Sequence, residues 1–240
     1  METNREKKYT YEDFLNIIAT LRGENGCPWD REQTHMSLRP CMMEEAAEVM
    51  AAIRIYDQTG SCANLSEELG DVLLQVVMHA QIAKEEGLFT MDDVVNEVAE
   101  KMVRRHPHVF GTVQADTSSQ VLENWEEIKM QEKAGKVDDT PQSTPLREIP
   151  LELPALTRAV KVLKKADKLY ESQDSFAEAL KKLRNAADEL EALGPDRGEE
   201  DLSDPIGEML LAVSNLSRLC KLSQEQILDD KINDIIEKFE

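Results

Sequence analysis

Aromatic residues make up only 5% of the 240-residue chain, which also holds just 10 glycines and 9 prolines. Sandwiches and barrels draw on aromatic residues for their strands and on glycine and proline for their many turns, so an all-β fold lacks its usual material. Cys27, Cys41, Cys62 and Cys220 form no Cys-x-x-Cys pair and join the four histidines in no zinc-type spacing, so we read them as free thiols. No apolar run approaches the roughly 18 residues of a membrane span, and the charged opening METNREKKYT leads into no signal-peptide core. A soluble, cytoplasmic chain with no membrane partner is the expectation. Positive charge is scarce too: 28 Lys and Arg against 48 Asp and Glu leave a formal net charge of -20. Such a surface repels a phosphate backbone, so no nucleic acid polymer is expected as a partner.

What is abundant is Glu, Leu, Ala, Lys and Met, the composition of an all-α protein. Between Gln131 and Pro154 four prolines interrupt any helical period, which marks a linker between two helical blocks. We place the linker at 136–152, between blocks at 1–135 and 153–240. In the first block the spacing predicts a helix from about Leu38 to Tyr56, carrying Met42, Val49, Ile53 and Tyr56 and ended by Thr59 and Gly60. A second follows Asn64 or Ser66, with Leu69, Val72, Leu73, Val76, Val77 and Ala80 on one stripe, and stops at Gly87. A third starts near Thr90 and ends before Pro107, and a fourth covers about Ser119 to Glu132. The second block repeats the plan: Gly207–Leu211 aligns with Gly70–Leu74, and the helix Phe176–Leu193 aligns with the one holding Glu44–Glu48.

Glu44, Glu45 and Glu48 share a helix face through i,i+3 and i,i+4 spacing, and Glu67, Glu68 and Asp71 sit on the next helix with 68 and 71 again three apart. A short connection makes these helices antiparallel neighbours. With both acidic faces inward, Glu45, Glu48, Glu68 and Asp71 converge as four carboxylates, an arrangement that needs a hard divalent cation to balance it. Oxygen-only ligands favour magnesium or manganese, whereas zinc or copper would recruit His or Cys. The competing reading is a pair of solvated acidic faces on an acidic protein, and spacing alone leaves both open.

Four segments in this order, GCPWDREQT (26–34), EEAAE (44–48), EELGDVLLQ (67–75) and RRHPHVFG (104–111), resemble the MazG-type nucleoside triphosphate pyrophosphohydrolases. The resemblance implies a chain of two tandem helical modules, four-helix-bundle-like and completed by dimerisation. It also implies hydrolysis of a nucleoside triphosphate to monophosphate and pyrophosphate, with Mg²⁺ held by Glu45, Glu48, Glu68 and Asp71 and with Glu44 or a neighbouring carboxylate taking the proton. Lys101, Arg104 and Arg105 are either a basic helix end complementing the helix dipole or, by the resemblance, the triphosphate-binding cations, and Glu67 belongs to the same nucleotide-binding set. Trp125 lies on the stripe of Val121 and Ile128, so it is either a core residue or, by the resemblance, a nucleotide contact. Trp29 either stacks on a base or anchors the N-terminal segment. His106 and His108 read as a turn after a helix rather than a metal pair, and the single Glu32-x-x-His35 lacks the second copy that a di-iron site needs.

The second block departs from that pattern. Asn185, Ala186 and Glu189 stand where Glu44, Glu45 and Glu48 stand in the first, Pro205 replaces Glu68, Glu208 replaces Asp71, and Asp234 replaces Lys101. We expect this module to fold without catalysing. Two other readings stay open at this point: a nucleotide-sensing or protein-interaction module without turnover, and a hydrolase of a guanosine signalling nucleotide.

Overall fold

The computed structural model describes residues 8–135, 144–171 and 174–239. Among them are eleven α-helices, one short 3-10 turn and no strand, so the all-α expectation holds. The chain divides between Lys136 and Val137 into two compact units.

The first unit contains α1 (Tyr11–Arg22), α2 (Pro28–Glu32), α3 (Arg39–Thr59), α4 (Ala63–Glu85), α5 (Met91–Arg105), α6 (Pro107–Phe110) and α7 (Ser118–Gly135). Local chemistry sets most of their ends. Thr10 and Asp13 form a reciprocal capping box that starts α1, and Thr90 with Asp93 does the same for α5. α3 takes Pro40 in its first turn, where the missing N–H costs nothing, and closes on Gly60 at φ +73°, whose N–H returns to Tyr56 O at 2.8 Å. Only Gly60 to Cys62 separate α3 from α4, which therefore run antiparallel side by side.

Ile18, Leu38, Val77, Met78 and Ile82 form the core of this unit, with Phe14, Leu15, Leu21, Leu74 and Met91 packed against it. Arg22, its side chain only 6% exposed, ties three segments together. It pairs with Glu85 at the end of α4 (2.7 Å) and donates to the carbonyls of Asp30 (2.5 Å) and Gln33 (3.1 Å). The apolar stripes differ from their expected burial. Ala52 is fully buried, yet Ile53 and Tyr56 on α3 and Leu69 and Leu73 on α4 lie open to solvent. The core sits at the α1 end of α4, which leaves the other half of the stripe as an uncovered apolar face.

His35, just before α3, meets His79 on α4 with their Nδ1 atoms 2.7 Å apart. The ring centroids are 5.0 Å apart and the planes differ by 3°. Those distances place the rings edge to edge in one plane, nitrogen facing nitrogen, so the contact is an N–H···N hydrogen bond rather than a face-to-face stack.

The second unit contains α8 (Ala155–Tyr170), α9 (Phe176–Leu193), α10 (Glu199–Leu219) and α11 (Gln224–Phe239). A capping box of Ser175 and Glu178 begins α9. Small side chains let α9 and α10 approach closely, since Ala179, Ala186, Ala212 and Ser214 are all buried. Ser214 and Asn215 of α10 are buried polar residues. Asn215 donates to Asp174 and accepts from Arg218, which pairs with the buried Asp167 at 2.7 Å. Pro205 lies fully buried inside α10.

Part of the expected linker, from Thr144 onward, lies among the described residues. α7 continues to Gly135, and Pro145–Glu148 form a 3-10 turn whose Glu148 pairs with Lys165 at 2.7 Å, while Ile149 is buried. Residues 136–143 of the expected linker lie outside the described residues. Among the described residues, no helix is long and apolar enough to cross a membrane.

Candidate metal centre on α3 and α4

The two antiparallel helices bring carboxylates from separate segments to one place. Glu45, Glu48 and Glu68 each offer an oxygen within 4.8 Å of the others. Glu45 and Glu68 are half-buried and Glu48 is exposed. Asp71 stands outside this tight group but acts on it electrostatically. Partial loss of water, then the charges of Asp71, Glu68 and Glu44, push the Glu45 carboxyl above its usual range. Glu68 is raised in the same direction by loss of water and by Glu48, against a lowering hydrogen bond from Asn64 Nδ2 at 3.1 Å.

Loss of water and, after it, the neighbouring carboxylates both disfavour the charged forms of Glu45 and Glu68. The donors are all oxygen, as a hard divalent cation requires, so the residues present fit such an ion. Glu44 and Glu67 are exposed on their helices.

The three cations divide. Lys101 is half-buried on α5. Arg104 and Arg105 both close on Glu132 of α7, at 2.7 Å and 2.6 Å. These charge-assisted contacts hold the Glu132 carboxyl down at about 2. Arg105 also lies over the Trp125 ring, 5.4 Å from its centroid, and His106 meets that ring edge-on at 5.0 Å. His106 Nδ1 donates to Met102 O at 2.6 Å, which fits the turn reading of that histidine. Trp29 is 62% exposed, so burial does not anchor it, and its ring faces solvent at the start of α2.

Sequence reasoning passed over Glu132, Asn64, Arg22 and the His35–His79 pair. Glu132 carried a readable signal, since it falls seven residues after Trp125 and so on the same face of α7. Asn64 stood four residues before Glu68, on the same side of α4.

Fold and site together define a class: an all-α protein whose neighbouring helices gather carboxylates into an oxygen-only, cation-type centre. A family model described as the MazG nucleotide pyrophosphohydrolase domain matches residues 33–110, which include all four carboxylates and Lys101, Arg104 and Arg105. The chain is 37% identical over 238 residues to the Thermotoga maritima nucleoside triphosphate pyrophosphohydrolase/pyrophosphatase MazG, covering 98% of this chain and 86% of that one. It is 40% identical over 230 residues to the Escherichia coli K12 nucleoside triphosphate pyrophosphohydrolase, covering 95% of this chain and 83% of that one. Bacillus subtilis YabN is 49% identical over 163 residues, and the aligned region is 67% of this chain but 32% of that longer protein. The chain belongs to the MazG nucleotide pyrophosphohydrolase family.

Proposed function

We propose that this protein hydrolyses nucleoside triphosphates to nucleoside monophosphate and pyrophosphate in a magnesium-dependent reaction sited in residues 1–135. The observation that carries the reading is the convergence of Glu45, Glu48 and Glu68, with Asp71 beside them, inside the segment that matches the family model. The names of the full-length relatives support the reaction.

Glu45, Glu48, Glu68 and Asp71 would hold the cation. Magnesium, or manganese in its place, would supply positive charge to the triphosphate and acidify water for attack on the α-phosphorus. Glu44, exposed beside Glu45 on α3, accepts the proton released in that attack. Lys101, Arg104 and Arg105 bind phosphate oxygens, while Glu67, Trp125 and the open ring of Trp29 contact the nucleoside.

We read the second unit as a degenerate module that folds without catalysing. Asn185 and Ala186 remove two acids from α9, and Pro205 puts a buried ring where α4 has Glu68. The uncovered apolar faces of α3 and α4 support a homodimer that completes a helical bundle.

The test is a panel of nucleotides with Mg²⁺, scored for monophosphate and pyrophosphate, on the wild type beside Glu45→Gln and Glu189→Gln. Turnover lost in the first variant and kept in the second is expected. Equal activity in Glu45→Gln overturns the site, and release of orthophosphate overturns the reaction.

A further inference from the structure

Arg104 and Arg105 are consecutive residues on a helix, so their side chains leave α5 about 100° apart and have no intrinsic reason to meet. They meet because Glu132 reaches across from α7. Glu132 Oε1 accepts from Arg104 Nε at 2.7 Å, and Oε2 accepts from Arg105 Nη2 at 2.6 Å and Nε at 3.2 Å. The Glu132 and Arg105 side chains are each only 15% exposed, whereas that of Arg104 is 52% exposed. Trp125 supports Arg105 from a further side. Arg104 and Glu132 also line a depression of about 530 Å³ that includes Asn124, Glu127 and Ile128 of α7.

Glu132 engages the two guanidiniums largely by their Nε edges. Arg104 keeps both terminal nitrogens out of this contact, and Arg105 keeps Nη1. A long cationic side chain held from behind by a carboxylate has already given up rotamer freedom before a ligand arrives. We propose that Glu132 is a positioning residue for phosphate binding, gathering Arg104 and Arg105 onto one side of α5 and presenting their remaining N–H donors to an oligophosphate. The proposal rests on the phosphate role given to these arginines above.

Steady-state kinetics on a nucleoside triphosphate with Mg²⁺, paired with calorimetric binding of inorganic triphosphate, test it on the full chain. Glu132→Gln replaces two charged acceptor oxygens by one neutral oxygen and an NH2 donor, so its hold on the two guanidiniums is weaker. The expected result is a KM raised about tenfold with kcat within about twofold, and a matching loss of triphosphate affinity, on the scale of one oriented charge-assisted hydrogen bond. Arg104→Gln should raise KM in the wild type but add little in the Glu132→Gln background, because the two changes disable one device. Each Arg104→Gln effect is measured against its own parent, so the comparison stands even when Glu132→Gln lowers the melting temperature.

An unchanged KM overturns the proposal. So does a lowered KM, which would make Glu132 a competitor for the arginines, and so does full additivity of the two variants. Absence of wild-type turnover, or full turnover in Glu45→Gln, would instead count against the proposed function. Effects confined to the Glu132 series bear on this inference alone.

Discussion

The carboxylate centre predicts an inversion of sign when Glu48 is neutralised. Glu45, Glu48 and Glu68 hold oxygens within 4.8 Å of one another, and Glu48 is itself one cause of the raised Glu68 carboxyl. Glu48→Gln therefore removes a repulsion, and without metal the melting temperature should stay level or rise. With metal the order reverses. At Mg²⁺ about 100-fold above its dissociation constant, the wild type gains about 2.7 kcal/mol through binding to the folded state alone. For a unit ending at Lys136, each kcal/mol moves the melting temperature by about 4 °C, so the wild-type shift is roughly 10 °C. A variant whose affinity falls about 100-fold keeps only about 0.4 kcal/mol at the same Mg²⁺, a shift of roughly 2 °C. Calorimetric melts in chelator and in a Mg²⁺ series measure both effects. A metal-free Glu48→Gln protein that melts several degrees below wild type, or one that retains the full Mg²⁺ shift, would refute the reasoning.

Other outcomes follow from features away from that centre. Loss of water and the charge of His35 lower the His79 pKa, so the unfolded chain takes up a proton there first as pH falls. The contribution of this pair is complete above about pH 6.5 and is lost on acidification below it. Its size is about 1 kcal/mol, and urea midpoints at pH 7.5 and 5.5 should show that loss in the wild type but not in His79→Phe. Arg22→Met leaves Glu85 with only its hydrogen bond from Gln81 and two carbonyls without their donor, so urea unfolding should register a loss of about 2–4 kcal/mol. Ala179→Leu pushes extra volume between α9 and α10 at a position with 0% exposure and should cost about 1–3 kcal/mol in the second unit, with turnover in the first unit unchanged.

Features encoded over short stretches were legible in the sequence. α3, α4, α5, α7 and α9 lie within a few residues of their expected places because proline, glycine and capping residues punctuate them locally. The acidic residues could be grouped for the same reason, being three and four apart on two adjoining helices. α1 was overlooked although Thr10 and Asp13 announce it and Phe14, Leu15, Ile18 and Leu21 keep a helical period. Contacts that depend on chain separation were beyond reach: Arg104 with Glu132 spans 28 residues, His35 with His79 spans 44, and Arg22 with Glu85 spans 63. Periodicity likewise marked an apolar stripe on α4 without revealing that its Leu69 end is uncovered, since burial is decided by what packs opposite and not by the stripe itself.

The buried proline of α10 has a bearing on the history of the chain. Pro205 has no N–H to offer the carbonyl of Asp201, and the helix tolerates this in its second turn with the ring sealed from water. A carboxylate placed at 205 would sit sealed from water, where an unbalanced charge is costly. In the tandem reading, a lone replacement of Pro205 by an acid would cost stability before it supplied a metal ligand.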